Sequence, residues 1–126
     1  MRIEHVALWV NDIEKMRDFY CSCFQAESSE KYFNPHKKFS SYFLSFKDGA
    51  RLEIMNKPDL ESSLQPMISG WAHIALSAGS KEAVDSLTEK LRSEGYTIAG
   101  EPRTTGDGYY ESIILDPEGN QIEITV

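Results

Sequence analysis

The sequence has few cysteines, no excess of positive charge and no long apolar run. Only two of its 126 residues are cysteines, Cys21 and Cys23. They lie two positions apart in a predicted helix, where such side chains do not face each other. Neither a mutual disulfide nor a shared metal is therefore expected of them. This cysteine usage favours free thiols in a reducing cytoplasm.

The charge balance and the hydropathy exclude two more classes of protein. The net charge is −7 and the isoelectric point is about 4.9, which argues against sequence-independent binding to nucleic acid or to an anionic membrane. No apolar run approaches the roughly 20 residues that a membrane span needs. The N-terminus opens directly into a strand pattern, so we expect no signal peptide and a cytoplasmic location.

The sequence does contain a duplicated order of secondary-structure elements. Its 126 residues suffice for one domain with a substantial core. We predict an α+β domain over residues 1–126, with a first module at about 1–56, a linker at about 57–69 and a second module at about 70–126. Each module has the predicted order strand, helix, strand, strand, strand.

The two predicted helices have clear boundaries. Helix 1 is predicted from about Ile13 to Phe24, with Asn11-Asp12 supplying the N-cap and Glu14 three residues after Asn11 in a capping-box arrangement. Helix 2 is predicted from Lys81 to Glu94, closed by Gly95. Apolar residues recur at helical spacing in both. The predicted strands cover residues 2–10, 27–33, 39–46, 51–55, 70–78, 96–99, 109–115 and 121–126, with a basic, glycine-containing loop at 103–108.

Two histidines and two glutamates recur at matched places in the two modules. His5 precedes Val-Ala-Leu, and His73 precedes Ile-Ala-Leu 68 residues later. Glu53 and Glu123 each stand between aliphatic residues after a turn that contains Asp and Gly, and they are 70 residues apart. A repeat of this size indicates two copies of one supersecondary unit.

Strand alternation predicts that these four side chains share one kind of sheet face. Each shares its face with small, polar or mixed residues, whereas the opposite faces are aliphatic. We expect the helices on the aliphatic faces and a concave cavity on the others. Two carboxylates brought together there repel each other, and a divalent cation offsets that cost. Two imidazoles and two carboxylates suit Zn, Ni, Co, Mn or Fe(II).

Each of these residues, taken singly, also has an ordinary structural interpretation. A lone strand histidine is usually a hydrogen-bonded core residue, and a lone glutamate on a terminal strand is usually solvated. The matched repetition favours a shared metal site at His5, Glu53, His73 and Glu123. The third histidine, His36, lies in a charged loop and has no repeat partner, so it is predicted to be exposed.

With these motifs the sequence resembles the vicinal oxygen chelate superfamily and, within it, the glyoxalase I-like (lactoylglutathione lyase-like) group. The matching stretches are 3–8, 18–20, 52–54, 70–76 and 116–124. The resemblance implies paired βαβββ modules that form an incompletely closed, mixed β-barrel with the helices outside. It also implies one divalent metal ion per site, with Zn or Ni as first choices and Co, Mn or Fe as alternatives. All four glyoxalase I ligand positions are filled, unlike those of bleomycin-binding relatives.

The resemblance also implies a reaction and an assembly. A hemithioacetal of a 2-oxoaldehyde and a thiol would be isomerised through proton abstraction and a metal-bound enediolate. His5 and His73 would hold the metal, while Glu123 is the first choice for the base and Glu53 the second. A homodimer is implied, in which His5 and Glu53 come from one chain and His73 and Glu123 from the other. Pairing of both modules within one chain is the alternative.

One position departs from the glyoxalase I pattern. Those enzymes commonly have an arginine four residues after the first ligand, where it contacts the glutathione carboxylate, whereas this sequence has Trp9. Another thiol, or a small molecule without a thiol carrier, is therefore an alternative to glutathione. Trp9, Arg103 and Arg51 are the candidate substrate-binding residues. The competing functions are a metal-dependent protein of fosfomycin or antibiotic resistance, a small-molecule-binding protein, and a regulatory protein with a vestigial fold.

Overall fold

The computed structural model describes residues 4–60, 73–106 and 108–126. By its internal contacts the chain divides into two units, Met1–Ser63 and Leu64–Val126. The first contains β1 (His5–Trp9), α1 (Ile13–Phe24), β2 (Glu27–Ser28), β3 (Tyr32–Asn34), β4 (Phe39–Ser45) and β5 (Arg51–Asn56). The second contains β6 (Ile74–Ser77), α2 (Lys81–Ser93), β7 (Ile98–Thr104), β8 (Tyr110–Leu115) and β9 (Gln121–Thr125). Neither helix in these described ranges has the length and apolar character to cross a membrane.

The first unit is a mixed sheet in the order β1-β5-β4-β2, with β3 also paired to β4. β1 runs parallel to β5, and the other neighbours are antiparallel. The single strand predicted over residues 27–33 is therefore two short strands. They are separated by residues 29–31, and the register against β4 shifts by one residue between the pairs Ser28–Leu44 and Tyr32–Ser41. At this break the Phe43 backbone N–H donates to the Ser29 hydroxyl (3.0 Å).

The second unit repeats this topology in the order β6-β9-β8-β7, with β6 parallel to β9 and the other pairs antiparallel. Both units thus have βαβββ connectivity, with the third element of the first unit split in two. The predicted α+β class and its two βαβββ modules are confirmed. Of the strand predicted over residues 70–78, residues 70–72 lie outside the described part of the chain, and β6 covers Ile74–Ser77.

β7 is longer than the sequence indicated, and this moves Arg103 out of the predicted loop and into a strand. The sequence predicts this strand only over residues 96–99, whereas it continues through Gly100 and Pro102 to Thr104. The ladder between β7 and β8 shifts register between Ile98 and Gly100 and again between Gly100 and Arg103. β7 is an edge strand, where the missing N–H of a proline is tolerated.

The first helix has the predicted bounds, and its N-cap is the second residue of the predicted Asn11-Asp12 cap. The Asp12 carboxylate accepts a hydrogen bond from the Lys15 backbone N–H (3.0 Å), so Asp12 is the N-cap. The predicted capping box of Asn11 and Glu14 is wrong. The Glu14 carboxylate instead accepts hydrogen bonds from the Lys31 ammonium and a tyrosine hydroxyl.

The second helix ends as predicted. The Ser80 hydroxyl caps its start by accepting from the Ala83 backbone N–H (3.2 Å). Gly95 takes a φ of 88°, and its N–H and that of Tyr96 donate to carbonyls of the last helical turn. This is the Schellman arrangement, which favours glycine because L side chains rarely adopt positive φ.

Each helix buries one apolar stripe against its own sheet. In α1 the stripe is the predicted one and consists of Ile13, Met16, Phe19, Tyr20 and Cys23. In α2 Leu87, one of the apolar residues at helical spacing, is only half-buried, and the buried residues are Val84, Thr88 and Leu91. The Thr88 hydroxyl forms hydrogen bonds with the Val84 carbonyl and the Ser112 hydroxyl, both at 2.7 Å. Val126, directly after β9, is exposed.

The turn before β9 is held by one buried carboxylate. Asp116 is 4% exposed, and its Oδ1 accepts from the backbone N–H groups of Glu118 and Asn120, both at 2.9 Å. Its Oδ2 accepts from the Asn120 side-chain amide at 2.8 Å. Burial raises the pKa of Asp116 above its ordinary value, although these hydrogen bonds act in the opposite direction. The turn sets the point at which β9, and so Glu123, enters the sheet.

Removing this carboxylate should destabilise the fold. Asp116→Ala leaves three donors without their acceptor, so we expect a loss of about 2 kcal/mol in the free energy of unfolding. Urea denaturation measures it. Asp48, exposed in the turn before β5, is the matched control, and Asp48→Ala should change stability by less than about 0.5 kcal/mol. Equal losses in the two variants would contradict the role assigned to Asp116.

Candidate metal centre

In the first unit, His5 and Glu53 lie on neighbouring parallel strands. Ala7 is opposite Glu53 in the register of β1 and β5, so His5 is on the same sheet face, two residues earlier in β1. His5 Nε2 is 4.0 Å from Glu53 Oε2. The histidine side chain is 40% exposed and the glutamate side chain 15%. The pair is thus open to solvent on the imidazole side and sheltered on the carboxylate side.

The second unit repeats this pair. His73 directly precedes β6, and Ala75 is opposite Glu123 in the register of β6 and β9. His73 Nε2 is 3.2 Å from Glu123 Oε2, and the two side chains are 39% and 17% exposed. Register, atom pairing and exposure all match those of the first unit. The internal repeat in the sequence is therefore a repeat of local structure.

The donor atoms of each pair suit a divalent cation. The two nitrogen–oxygen separations, 4.0 and 3.2 Å, are both shorter than twice a metal–ligand distance of about 2.1 Å. One ion can therefore contact both atoms of a pair. Two protein ligands are fewer than such sites ordinarily have. Within the described residues, neither unit by itself gathers three or more His, Cys, Asp or Glu side chains that could hold a metal ion.

The other nitrogen of His5 faces a carboxylate that the sequence analysis missed. His5 Nδ1 is 2.6 Å from Glu4 Oε2. Glu4 Oε1 accepts from Arg51 Nε at 2.8 Å and also from a terminal nitrogen of that guanidinium. The hydrogen bonds from His5 and Arg51 lower the pKa of Glu4.

An aromatic ring supports the same cluster. The rings of His5 and Phe43 meet edge to face, with centroids 5.4 Å apart. The Arg51 guanidinium lies 4.2 Å from the Phe43 ring centroid, a cation–π distance. Phe43 is opposite Glu53 in the register of β4 and β5. The predicted strand over residues 39–46 includes Phe43, but the contact of Phe43 with this cluster depends on the pairing of β4 with β5.

The candidate substrate-binding residues fall on the ligand-bearing faces of both units. Trp9 shares its face with His5, is 46% exposed, and contacts the Phe39 ring edge to face at 6.1 Å. The Lys57 ammonium lies 5.2 Å from the Trp9 ring centroid. Arg51, by contrast, has two guanidinium nitrogens engaged with Glu4.

In the second unit, Arg103 pairs with Glu111 across β7 and β8, with Nη2 3.4 Å from Oε1. Glu111 is in turn opposite Thr125 in β9, so Arg103 lies on the sheet face that carries Glu123. Substrate contact by Trp9, Arg103 and Arg51 stays a prediction. His36 is exposed in a turn, as predicted.

The folds of the two units and the paired residues identify the family. Residues 2–124 match the profile of the Glyoxalase/Bleomycin resistance protein/Dioxygenase superfamily, and the chain belongs to that superfamily. The superfamily predicted from the sequence is therefore confirmed.

Three relatives illustrate the range of similarity. The chain is 33% identical over 127 residues to the uncharacterized protein YqjT of Bacillus subtilis (strain 168), covering 97% of this chain and 96% of that one. It is 25% identical over 126 residues to a probable lactoylglutathione lyase of Synechocystis, covering 98% and 94%. The crystal structure of glyoxalase I from Zea mays matches with a TM-score of 0.78 and 23% identity, covering 98% of this chain and 44% of that one. The last similarity supports the fold.

Proposed function

We propose that this chain is a metal-dependent, glyoxalase I-like enzyme that isomerises the hemithioacetal of a 2-oxoaldehyde and a thiol. The observation that carries the proposal is the matched His–Glu pair of each unit, alike in register and exposure. His5, Glu53, His73 and Glu123 together would hold one divalent ion, with Zn or Ni as first choices and Co, Mn or Fe as alternatives. When bound, such an ion supplies Lewis-acid polarisation of the substrate's vicinal oxygens. Similarity to a probable lactoylglutathione lyase supports this reaction.

A glutamate would carry the proton. Glu123 is the first choice for the base and Glu53 the second. The substrate C–H bond breaks, its proton passing to a Glu123 carboxylate oxygen and its electron pair to the adjacent carbonyl group. The same proton then returns to the neighbouring carbon, while the hydroxyl oxygen becomes the thioester carbonyl and its proton passes to the other oxygen. The isomerisation therefore consumes no co-reactant. The carboxylate is mostly sheltered, at 17% exposure, which limits exchange of that proton with water.

The surroundings of the first pair favour a substrate with an apolar part. Trp9, Phe39 and Tyr32 form a contiguous row, in which the Phe39 ring lies 6.1 Å from each of the other two. Trp9, the first member of this row, occupies the position at which the glyoxalase I pattern has an arginine for the glutathione carboxylate. We propose that Trp9 packs against an apolar part of the substrate, while Arg103 offers a positive charge on the face of Glu123. A thiol other than glutathione fits this surface better.

The substrate assignment can be tested with metal-reconstituted protein, methylglyoxal and a panel of thiols that includes glutathione and bacillithiol. Isomerisation is expected with at least one thiol, abolished by a chelator and restored by a divalent metal. Fosfomycin is run alongside under the same conditions. No turnover with any thiol, together with binding or opening of fosfomycin, would contradict the proposal and favour a resistance protein.

We also propose a homodimer. Among the described residues each unit offers two ligands of its own, so the first unit of one chain would complete its site with the second unit of its partner. His5 and Glu53 would then come from one chain and His73 and Glu123 from the other. Sedimentation should give the mass of two chains for the metal-loaded protein. A single-chain mass at full metal occupancy would contradict the shared site.

A further inference from the structure

We propose that Glu4 is a positioning residue that orients the His5 imidazole, with Arg51 holding Glu4 in place. The inference rests on the proposed function, because it takes His5 to be a metal ligand. Glu4 contacts the imidazole nitrogen that faces away from Glu53, so it would act on a metal only through His5.

The geometry assigns different tasks to the two imidazole nitrogens. Nδ1 lies 2.6 Å from Glu4 Oε2, while Nε2 is directed toward Glu53, 4.0 Å away. A carboxylate accepts but does not donate hydrogen bonds, so the proton of the neutral ring belongs on Nδ1. The Nε2 lone pair is then free for a metal. Carboxylates that bind the remote nitrogen of a ligand histidine fix its tautomer and its direction in this way.

Arg51 restrains Glu4 from the neighbouring strand. It is directly opposite His5 in the register of β1 and β5, and its guanidinium binds the Glu4 oxygen that His5 does not use. The Phe43 ring contacts both the imidazole and the guanidinium. Glu4 is thus held between His5 and Arg51, and the His5 ring is contacted by both Glu4 and Phe43.

The internal repeat shows that the fold does not require this pair. At the offsets of the repeat, the counterparts of Glu4 and Arg51 are Ala72 and Gln121. Neither of these side chains can form a carboxylate–guanidinium pair, yet β6 and β9 keep the register of β1 and β5. The Glu4 and Arg51 side chains are also 54% and 39% exposed, and exposed ion pairs contribute little to stability. A role in orienting His5 accounts for the pair better than a role in folding.

Titration of chelator-stripped protein with Zn²⁺ and with Ni²⁺ tests the inference. Glu4→Ala should weaken metal binding by about 10- to 100-fold and leave the thermal unfolding midpoint of the metal-free protein unchanged. Glu4→Gln keeps an acceptor for Nδ1 and should recover most of the affinity. Glu30→Ala, at an exposed glutamate elsewhere in the same unit, is the matched control and should bind like wild type.

Nitrogen-15 NMR of the imidazoles in metal-free protein provides the second readout. The His5 proton should reside on Nδ1 in wild type and shift toward Nε2 in Glu4→Ala. Unchanged affinity, or weaker binding with an unchanged tautomer, would overturn the inference alone. Failure of the wild-type protein to bind either metal would overturn the proposed function and this inference together.

Discussion

Glu123→Gln should lower the rate of hemithioacetal isomerisation by about 10²- to 10⁴-fold, the usual contribution of a positioned acid–base group. The amide keeps the volume of the carboxylate and one oxygen for the metal, but it cannot accept the substrate proton at neutral pH. The measurement is turnover at saturating metal, with the thiol that the panel selects. Metal content is determined on the same preparation, so that a loss of the ion is separated from a loss of the base.

Glu53→Gln is the matched control for this experiment. The two glutamates occupy equivalent register positions, and their side chains are 15% and 17% exposed, so the substitutions perturb the two units alike. Glu53→Gln should lower turnover less than Glu123→Gln does. Normal metal binding with full turnover in Glu123→Gln would show that the base assignment is wrong. A larger loss of turnover in Glu53→Gln would show that Glu53 is the base.

His73→Ala should weaken metal binding by more than about 100-fold, because loss of an outer-shell partner alone costs about 10- to 100-fold. The variant removes the Nε2 that lies 3.2 Å from Glu123 Oε2. Competition with a chromophoric chelator measures the affinity. His36→Ala removes an exposed imidazole that belongs to neither pair and should have no effect. Equal affinities of the two variants would show that His73 is not a ligand.

Local pattern accounts for the parts of the fold that the sequence predicted well. The bounds of α1 were predictable because five apolar residues at helical spacing form its buried stripe. The end of α2 was predictable because Gly95 has the positive φ that favours glycine. The split between β2 and β3 and the extension of β7 were not predictable. Both depend on contacts with a neighbouring strand, and these contacts join residues that are distant in the sequence.

In the candidate site, too, some features were predictable from the sequence and others were not. The two His–Glu pairs were predictable because strand alternation and the repeat place both members on one face of each sheet. The contact of Glu4 with His5 was not predictable, because adjacent strand residues ordinarily point to opposite faces, and Glu4 lies just before β1 begins. The engagement of Arg51 also depends on register, since β1 and β5 are separated by most of the first unit. The sequence therefore identified the proposed ligands but not the residues that orient them.

The central claim is that both units contribute ligands to one divalent metal site. Isothermal titration of chelator-stripped, untagged protein with Zn²⁺ or Ni²⁺ tests it most directly, using wild type, His5→Ala, Glu53→Ala, His73→Ala and Glu123→Ala. The account predicts one ion per chain in wild type and a large loss of affinity in all four variants. Tight binding that survives both single substitutions in either unit would contradict it.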